Sequence, residues 1–185
     1  KKYIEYLFLM FLFYLFKILG VRISSFLGGS ILLCYGLFSK RNNIVKKNLK
    51  RVFPQITEKK QNQIINEMWF HFGRVIGEYP NLNRLEIGEN KNISVSNEEN
   101  LIKPLKNNKN CLFFSAHIGN WELTSHLLTK RGFKIHFIYR APNNKYVDNL
   151  LRQIRNDYGV DLIKKGNRGA RECLTVLNKK GGHIG

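Results

Sequence analysis

Hydrophobic and polar positions divide the chain into three successive stretches. The first is apolar throughout: Tyr6 to Phe16 runs without interruption, and after Lys17 the pattern resumes as Ile18-Leu19-Gly20-Val21. A helix that crosses the hydrocarbon core of a bilayer needs roughly 20 apolar residues. Tyr3 to Val21 reaches that length if Lys17 snorkels, laying its stem along the apolar surface with its ammonium at the interface. A second run, FLGGSILLCYGLF from Phe26 to Phe38, is shorter and rich in Gly, which suits an interfacial or re-entrant segment. Cleaved signal peptides also start with charges like Lys1-Lys2, but KILGVR beyond the apolar core holds no small-residue cleavage site. A hydrophobic hairpin inside the protein is the other alternative. Residues 1–39 are predicted to be an uncleaved membrane anchor with an interfacial end.

Residues 40–82 are predicted to be a basic, helical region. After Pro54, Thr57 is placed as an N-cap with Glu58 in the first turn, and Ile64, Ile65, Met68, Trp69, Phe72, Val75 and Ile76 recur at helical spacing. His71 on this helix reads as a packed or surface side chain. Residues 83–110 are polar and loop-like, with room for a short strand at Ile93–Val95 and a short helix near Leu101.

From Asn110 the pattern switches to alternating strands and helices. Strands are predicted at Cys111–Ala116, Lys134–Tyr139 and Val160–Ile163, and one more begins at His183-Ile184. Helices are predicted at Asn120–Lys130, Tyr146–Tyr158 and Arg168–Asn178; the second carries Val147, Leu150, Leu151, Ile154 and Tyr158 on one stripe and stops at Gly159. This order implies an α/β domain, residues 83–185, with a largely parallel sheet and flanking helices. A chain that stops as a strand begins reads as an α/β domain cut short at its C-terminus.

Charge narrows the class of partner. Lys and Arg number 31 against 13 Asp and Glu, a net +18, which suits a polyanion: nucleic acid, or an anionic membrane surface and its phosphorylated lipids. KRNNIVKKNLKR, residues 40–51, has six basic residues and no acid. Next to an apolar anchor such a run attracts anionic headgroups and marks the cytoplasmic side. Cys34, Cys111 and Cys173 are odd in number, widely spaced and set among apolar neighbours, so they are read as buried free thiols in a reducing compartment, not as a disulfide framework or a zinc site. No metal or bound organic cofactor is expected.

The candidate chemistry lies where the first predicted strand ends. In CLFFSAHIGNWELTSH, residues 111–126, an apolar run stops at His117 and Glu122 follows. Within one helix a five-residue offset turns side chains about 140° apart. The pair can meet only if His117 sits in the connecting turn, with Gly119 bending it, Asn120 capping the helix and Glu122 in its first turn. A carboxylate that orients an imidazole and stabilises its protonated form makes it a better general base. No Ser or Cys nucleophile accompanies the pair, so the implied reaction is base-assisted attack by a hydroxyl of the substrate. His-x-x-x-x-Glu alone is a common chance pattern, equally open to a structural histidine beside a surface glutamate.

AHIGNWE after a short apolar strand resembles the catalytic motif of the lipid A biosynthesis (lauroyl, or HtrB-type) acyltransferases, within the wider glycerolipid acyltransferase superfamily. NLKRVFPQITEKKQNQIINEMWFHFGRVIGEYPNL (48–82), YRAPNNKYVDNLLRQIR (139–155) and KKGNRGARECLTVLNKKGGHIG (164–185) resemble further segments of that family in the same order. The resemblance implies transfer of a fatty acyl chain from acyl carrier protein to a hydroxyl of a phosphorylated lipid A precursor, at the cytoplasmic face of a bacterial inner membrane. It implies His117 as general base and Glu122 as its partner. Arg140 would hold a phosphate or stabilise charge on the thioester oxygen, and Lys165 and Arg171 would meet acceptor phosphates or the carrier's acidic surface. Asn120 is placed with the substrate-binding positions. Family members continue through a strand bearing an Asp-Gln pair, so the resemblance also implies further acceptor and acyl-pocket residues beyond this chain. His126 and His136 are expected to be uninvolved.

Two alternatives remain at this level. A sister enzyme of the same fold would act on another glycolipid or a lysophospholipid. A membrane-anchored nucleic-acid-binding module would use the eleven basic residues, against three acids, between Lys130 and Arg171. No helix-turn-helix signature or aromatic stacking platform accompanies that charge, and nucleic acid is not expected as a partner.

Overall fold

The computed structural model describes residues 2–107, 109–179 and 182–185; Lys1, the first of the two lysines that open the anchor, lies outside them. The chain divides into two compact units, Leu12–Asn81 and the combination of Lys1–Phe11 with Leu82–Gly185.

The first helix, α1 (Lys2–Leu37), is 36 residues long and broken at Gly20, whose φ of 74° and ψ of 173° are not helical. The two apolar runs are thus the halves of one element divided at a glycine. By length and composition α1 is able to cross a membrane. In the unit Leu12–Asn81 its second half packs on α3 (Glu58–Glu78). The Gly-rich stretch has a packing reason: a Cβ at Gly28 would collide with the Gly73 carbonyl, and one at Gly77 with the Ser24 carbonyl. The helices meet backbone to backbone, as small residues permit. A polar tie reinforces the contact, since Ser25 Oγ donates to Glu78 Oε1 at 2.7 Å; ahead of the break, the Phe16 carbonyl accepts from Asn81 Nδ2 at 2.8 Å, just beyond α3. Thr57 caps α3 as expected, accepting from Lys60 N at 3.3 Å. The apolar stripe of α3 is wider than its buried face: Ile65, Trp69 and Val75 are buried, whereas Met68, Phe72 and Ile76 are exposed. Between them α2 (Asn42–Val52) buries no residue and exposes Ile44 and Val52 beside its lysines.

The other unit contains the sheet. Its elements in order are α4 (Glu98–Lys106), β1 (Cys111–Leu112), α5 (Glu122–Lys130), β2 (Ile135–Tyr139), α6 (Lys145–Asp157), β3 (Val160–Lys164), α7 (Asn167–Leu177) and β4 (His183–Ile184). All pairings are parallel and the strand order is β1-β4-β2-β3, so the α/β expectation holds. Leu105, Leu128, Ile135, Val160 and Leu162 form the core under α4 and α5. Two predicted strands are corrected. Ile93–Val95 contributes only an isolated bridge, Ile87 to Ile93. The first strand ends at Leu112 because its neighbour β4 offers only two paired residues, and beyond them only Phe113 N reaches a strand carbonyl, that of Ile184 at 2.8 Å. The three cysteines are free, but Cys34 is exposed and the other two are half-buried, contrary to the expectation that all are buried. The first turns of α1 belong to this unit: Asn144 Nδ2 donates to the Lys2 carbonyl at 2.8 Å, and Tyr146 packs against Tyr3 and Tyr6.

Candidate active site

The turn after β1 is built by three local interactions. Ile118 N donates to the Ala116 carbonyl at 2.8 Å, Gly119 takes a positive φ of 57°, and Asn120 Oδ1 accepts from Glu122 N at 3.2 Å. Only a residue without a Cβ enters that left-handed region freely, and the Asn120 side chain satisfies one of the free amides of the first turn of α5. The N-cap position of α5, which begins at Glu122, is Trp121 and not the predicted Asn120, which reaches the first amide of the helix from one residue before the cap. His117 projects from the turn, exposed, with its ring 4.9 Å from that of Trp121.

Glu122 is 8% exposed, and its carboxylate is gripped from α6. Arg155 donates through Nη2 to Oε1 at 2.6 Å and through Nε to Oε2 at 3.3 Å. This two-point, charge-assisted geometry fixes the carboxylate in place and gives both of its oxygens a donor. Among the described residues no hydrogen bond joins His117 to Glu122, so the direct contact expected from the spacing is not made; Arg155 occupies the carboxylate instead. The two candidates nevertheless share a cavity of about 640 Å³, lined also by Arg140, Arg155, Phe113 and Phe137. Arg140 arrives from the end of β2. There Tyr139 donates its hydroxyl to Asp148 Oδ1 at 3.0 Å, and burial followed by this hydrogen bond pushes the phenol above its usual range.

Arg155 was legible only as one more positive charge. It follows Ile154 on the inward stripe of α6, and an arginine at the margin of a buried stripe needs an anion opposite it. Lys165 does not line this cavity but a smaller one beside it, which also takes in Arg140. Arg171 stands exposed on α7 and lines neither. His126 is fully buried with Nε2 2.9 Å from the Leu85 carbonyl, and His136 lies 3.2 Å from Asp161. Among the described residues no three His, Cys, Asp or Glu side chains come together as metal ligands.

Residues 1–182 match the family model of the bacterial lipid A biosynthesis acyltransferases. The chain belongs to this family. No curated protein matches it. Membership makes the protein an acyltransferase of lipid A synthesis, and gives the long apolar α1 a context in a membrane-associated family. For an acyltransferase the lining of the cavity is apt: aromatic and aliphatic side chains over most of the surface, with a histidine, a carboxylate and two arginines grouped on it.

Proposed function

We propose that the enzyme moves a fatty acyl chain from the thioester of acyl carrier protein to a hydroxyl of a phosphorylated lipid A precursor. The observation that carries this reading is the convergence of His117 and Glu122, from the segment after β1, and Arg140, from the end of β2, on one largely apolar cavity. His117 is the general base. It accepts the proton of the acceptor hydroxyl as that oxygen attacks the thioester carbonyl carbon. The carbonyl oxygen becomes an oxyanion, and Arg140 lies on the same cavity wall to stabilise it. Collapse expels the thiolate, which takes up the proton and leaves the new ester. A thiolate is a good enough leaving group that no strong acid is required opposite the base. Glu122, held by Arg155, is the partner of His117 in this site. Helix α1 anchors the enzyme in a Gram-negative inner membrane with the α/β domain on the cytoplasmic face, and the lysines and arginines of residues 40–51 lie against anionic headgroups.

The test is made in a Gram-negative host lacking its own late acyltransferase. The protein is expressed at full length, unmodified or as His117→Ala, and lipid A is analysed by mass spectrometry. A new acyl chain with the unmodified protein and none with the variant is the expected result. Normal acylation by the variant defeats the role of His117. Unchanged lipid A in the presence of membrane-localised protein redirects the search to another glycolipid or a lysophospholipid acceptor.

A further inference from the structure

The first turn of α1 is fastened to the α/β unit by several groups at once. Buried Asn144 uses both ends of its side-chain amide. Its Oδ1 accepts from Tyr146 N at 3.2 Å and caps α6, while its Nδ2 donates to the Lys2 carbonyl at 2.8 Å. Lys2 Nζ donates in turn to the Asn143 carbonyl at 3.3 Å, and the Tyr146 ring lies 5.6 Å from that of Tyr3 and 5.7 Å from that of Tyr6. Further along the helix, about 21 Å away at 1.5 Å per residue, the Phe16 carbonyl accepts from Asn81, which is fully buried. The chain then enters the α/β unit at Leu82, and the Leu85 carbonyl lies 2.9 Å from Nε2 of His126 on α5.

These ties decide whether α1 crosses a bilayer. A crossing helix delivers its two ends to opposite faces. From Asn81 to Leu85 the chain reaches at most about 14 Å even when fully extended, about half of the roughly 30 Å hydrocarbon core. Phe16 is therefore on the same face as α5, just as Lys2 is on the same face as α6. Both helices belong to the one α/β unit, so both ends of the first half of α1 are on one face. The second half returns no span either, because it is packed on α3, which exposes Glu67 and Arg74 along its length.

A helix that is apolar on every side must still be covered on every side. Tyr6, Phe13 and Phe16 are at least partly buried, whereas Ile4, Leu7, Phe8, Phe11, Tyr14 and Ile18 are exposed and recur at three- and four-residue steps along one stripe. Protein covers one face of the helix, and that stripe is left for lipid. Half-exposed tyrosines where α1 begins suit the level of the headgroups.

We propose that α1 is a monotopic anchor: it sinks its exposed stripe into the leaflet facing the α/β unit and does not cross to the other side. This rests on the membrane attachment read above and goes beyond it, since length and composition alone would allow a span.

The test uses the full-length protein with Cys34, Cys111 and Cys173 replaced by Ser and one new cysteine, Lys40→Cys just after α1 or Asp157→Cys in the α/β unit. Spheroplasts and inverted inner-membrane vesicles are treated with a maleimide that cannot cross the membrane. Labelling of both positions in the vesicles, and of neither in spheroplasts, is expected. Labelling of the two positions from opposite faces, or of position 40 from neither, overturns the monotopic anchor. A protease site inserted after Gln55 in the chain with its own cysteines gives the same reading independently, by cleavage in vesicles and not in spheroplasts. The paired variant F8E/F11E should move the protein toward the soluble fraction, and full retention overturns the assignment of the stripe. Unmodified protein found in the soluble fraction defeats the membrane reading itself. Both positions labelled from spheroplasts defeats the cytoplasmic placement and leaves the monotopic anchor standing.

Discussion

Replacing Arg155 by Met separates the structural and chemical roles of the pair it forms with Glu122. The substitution keeps most of the side-chain volume but leaves a carboxylate, 9% exposed in its side chain, with no cation. Breaking a buried ion pair from one side costs about 3–5 kcal/mol. Arg155 keeps 21% exposure, so water already screens part of the attraction and the lower end, about 3 kcal/mol, applies. For a protein of this size that corresponds to a fall in Tm of about 6–12 °C. Intrinsic fluorescence of detergent-solubilised protein measures it, with Trp121 directly beside Glu122. Removing the charge from both partners, E122Q/R155M, should recover a good part of the lost stability, because no unpaired ion is then buried. Acyl transfer should be low in E122Q/R155M, which presents no carboxylate at the cavity. An R155M protein that melts within about 2 °C of wild type, under about 1 kcal/mol, refutes the reasoning. It would mean that the Glu122 carboxylate is satisfied another way, with His117 the first group to examine.

Other perturbations probe different parts of the chain. Gly77→Ala places a methyl against the Ser24 carbonyl, where only backbone could yield, and should cost about 1–3 kcal/mol, visible as a lower midpoint in denaturant; an unchanged midpoint would show that α1 and α3 do not pack this closely in solution. Burial, with a smaller contribution from His136, holds the His183 imidazole below the usual histidine range. The unfolded chain therefore binds the proton more readily, so the native state keeps its full stability above about pH 6.5 and loses it progressively as pH falls toward the lowered native value. Tm should drop between about pH 7.5 and about pH 5.5, and by less in His183→Gln; equal drops in both proteins would place the responsible group elsewhere.

Much of the α/β unit is legible because strands buried in a parallel sheet read as short apolar runs. Ile135–Tyr139 and Val160–Lys164 were recognisable on that ground. Phe113 to Ala116 are as apolar as a strand, yet only β4, far away in sequence, decides how much of that run is paired. Thr57 was readable as a cap, since a cap acts on amides two or three residues away. The partnership of Glu122 with Arg155 spans 33 residues and has no period, so no local pattern announces it. The glycines of α1 present the same difficulty: composition shows that Gly28 is small, and only Gly73 across the contact shows why it must be.

That contact also has a mechanical consequence. Where side chains interdigitate, two helices slide or roll by small rotamer changes, and the interface behaves as a compliant joint. At Gly28, Gly73 and Gly77 there are no rotamers to change, and peptide groups bear directly on one another. The second half of α1 and α3 are therefore welded rather than hinged. Compliance along α1 is displaced to Gly20, where the helix is already interrupted. Any force that bends this helix is therefore expected to bend it at that glycine, and to move the welded pair as one rigid piece.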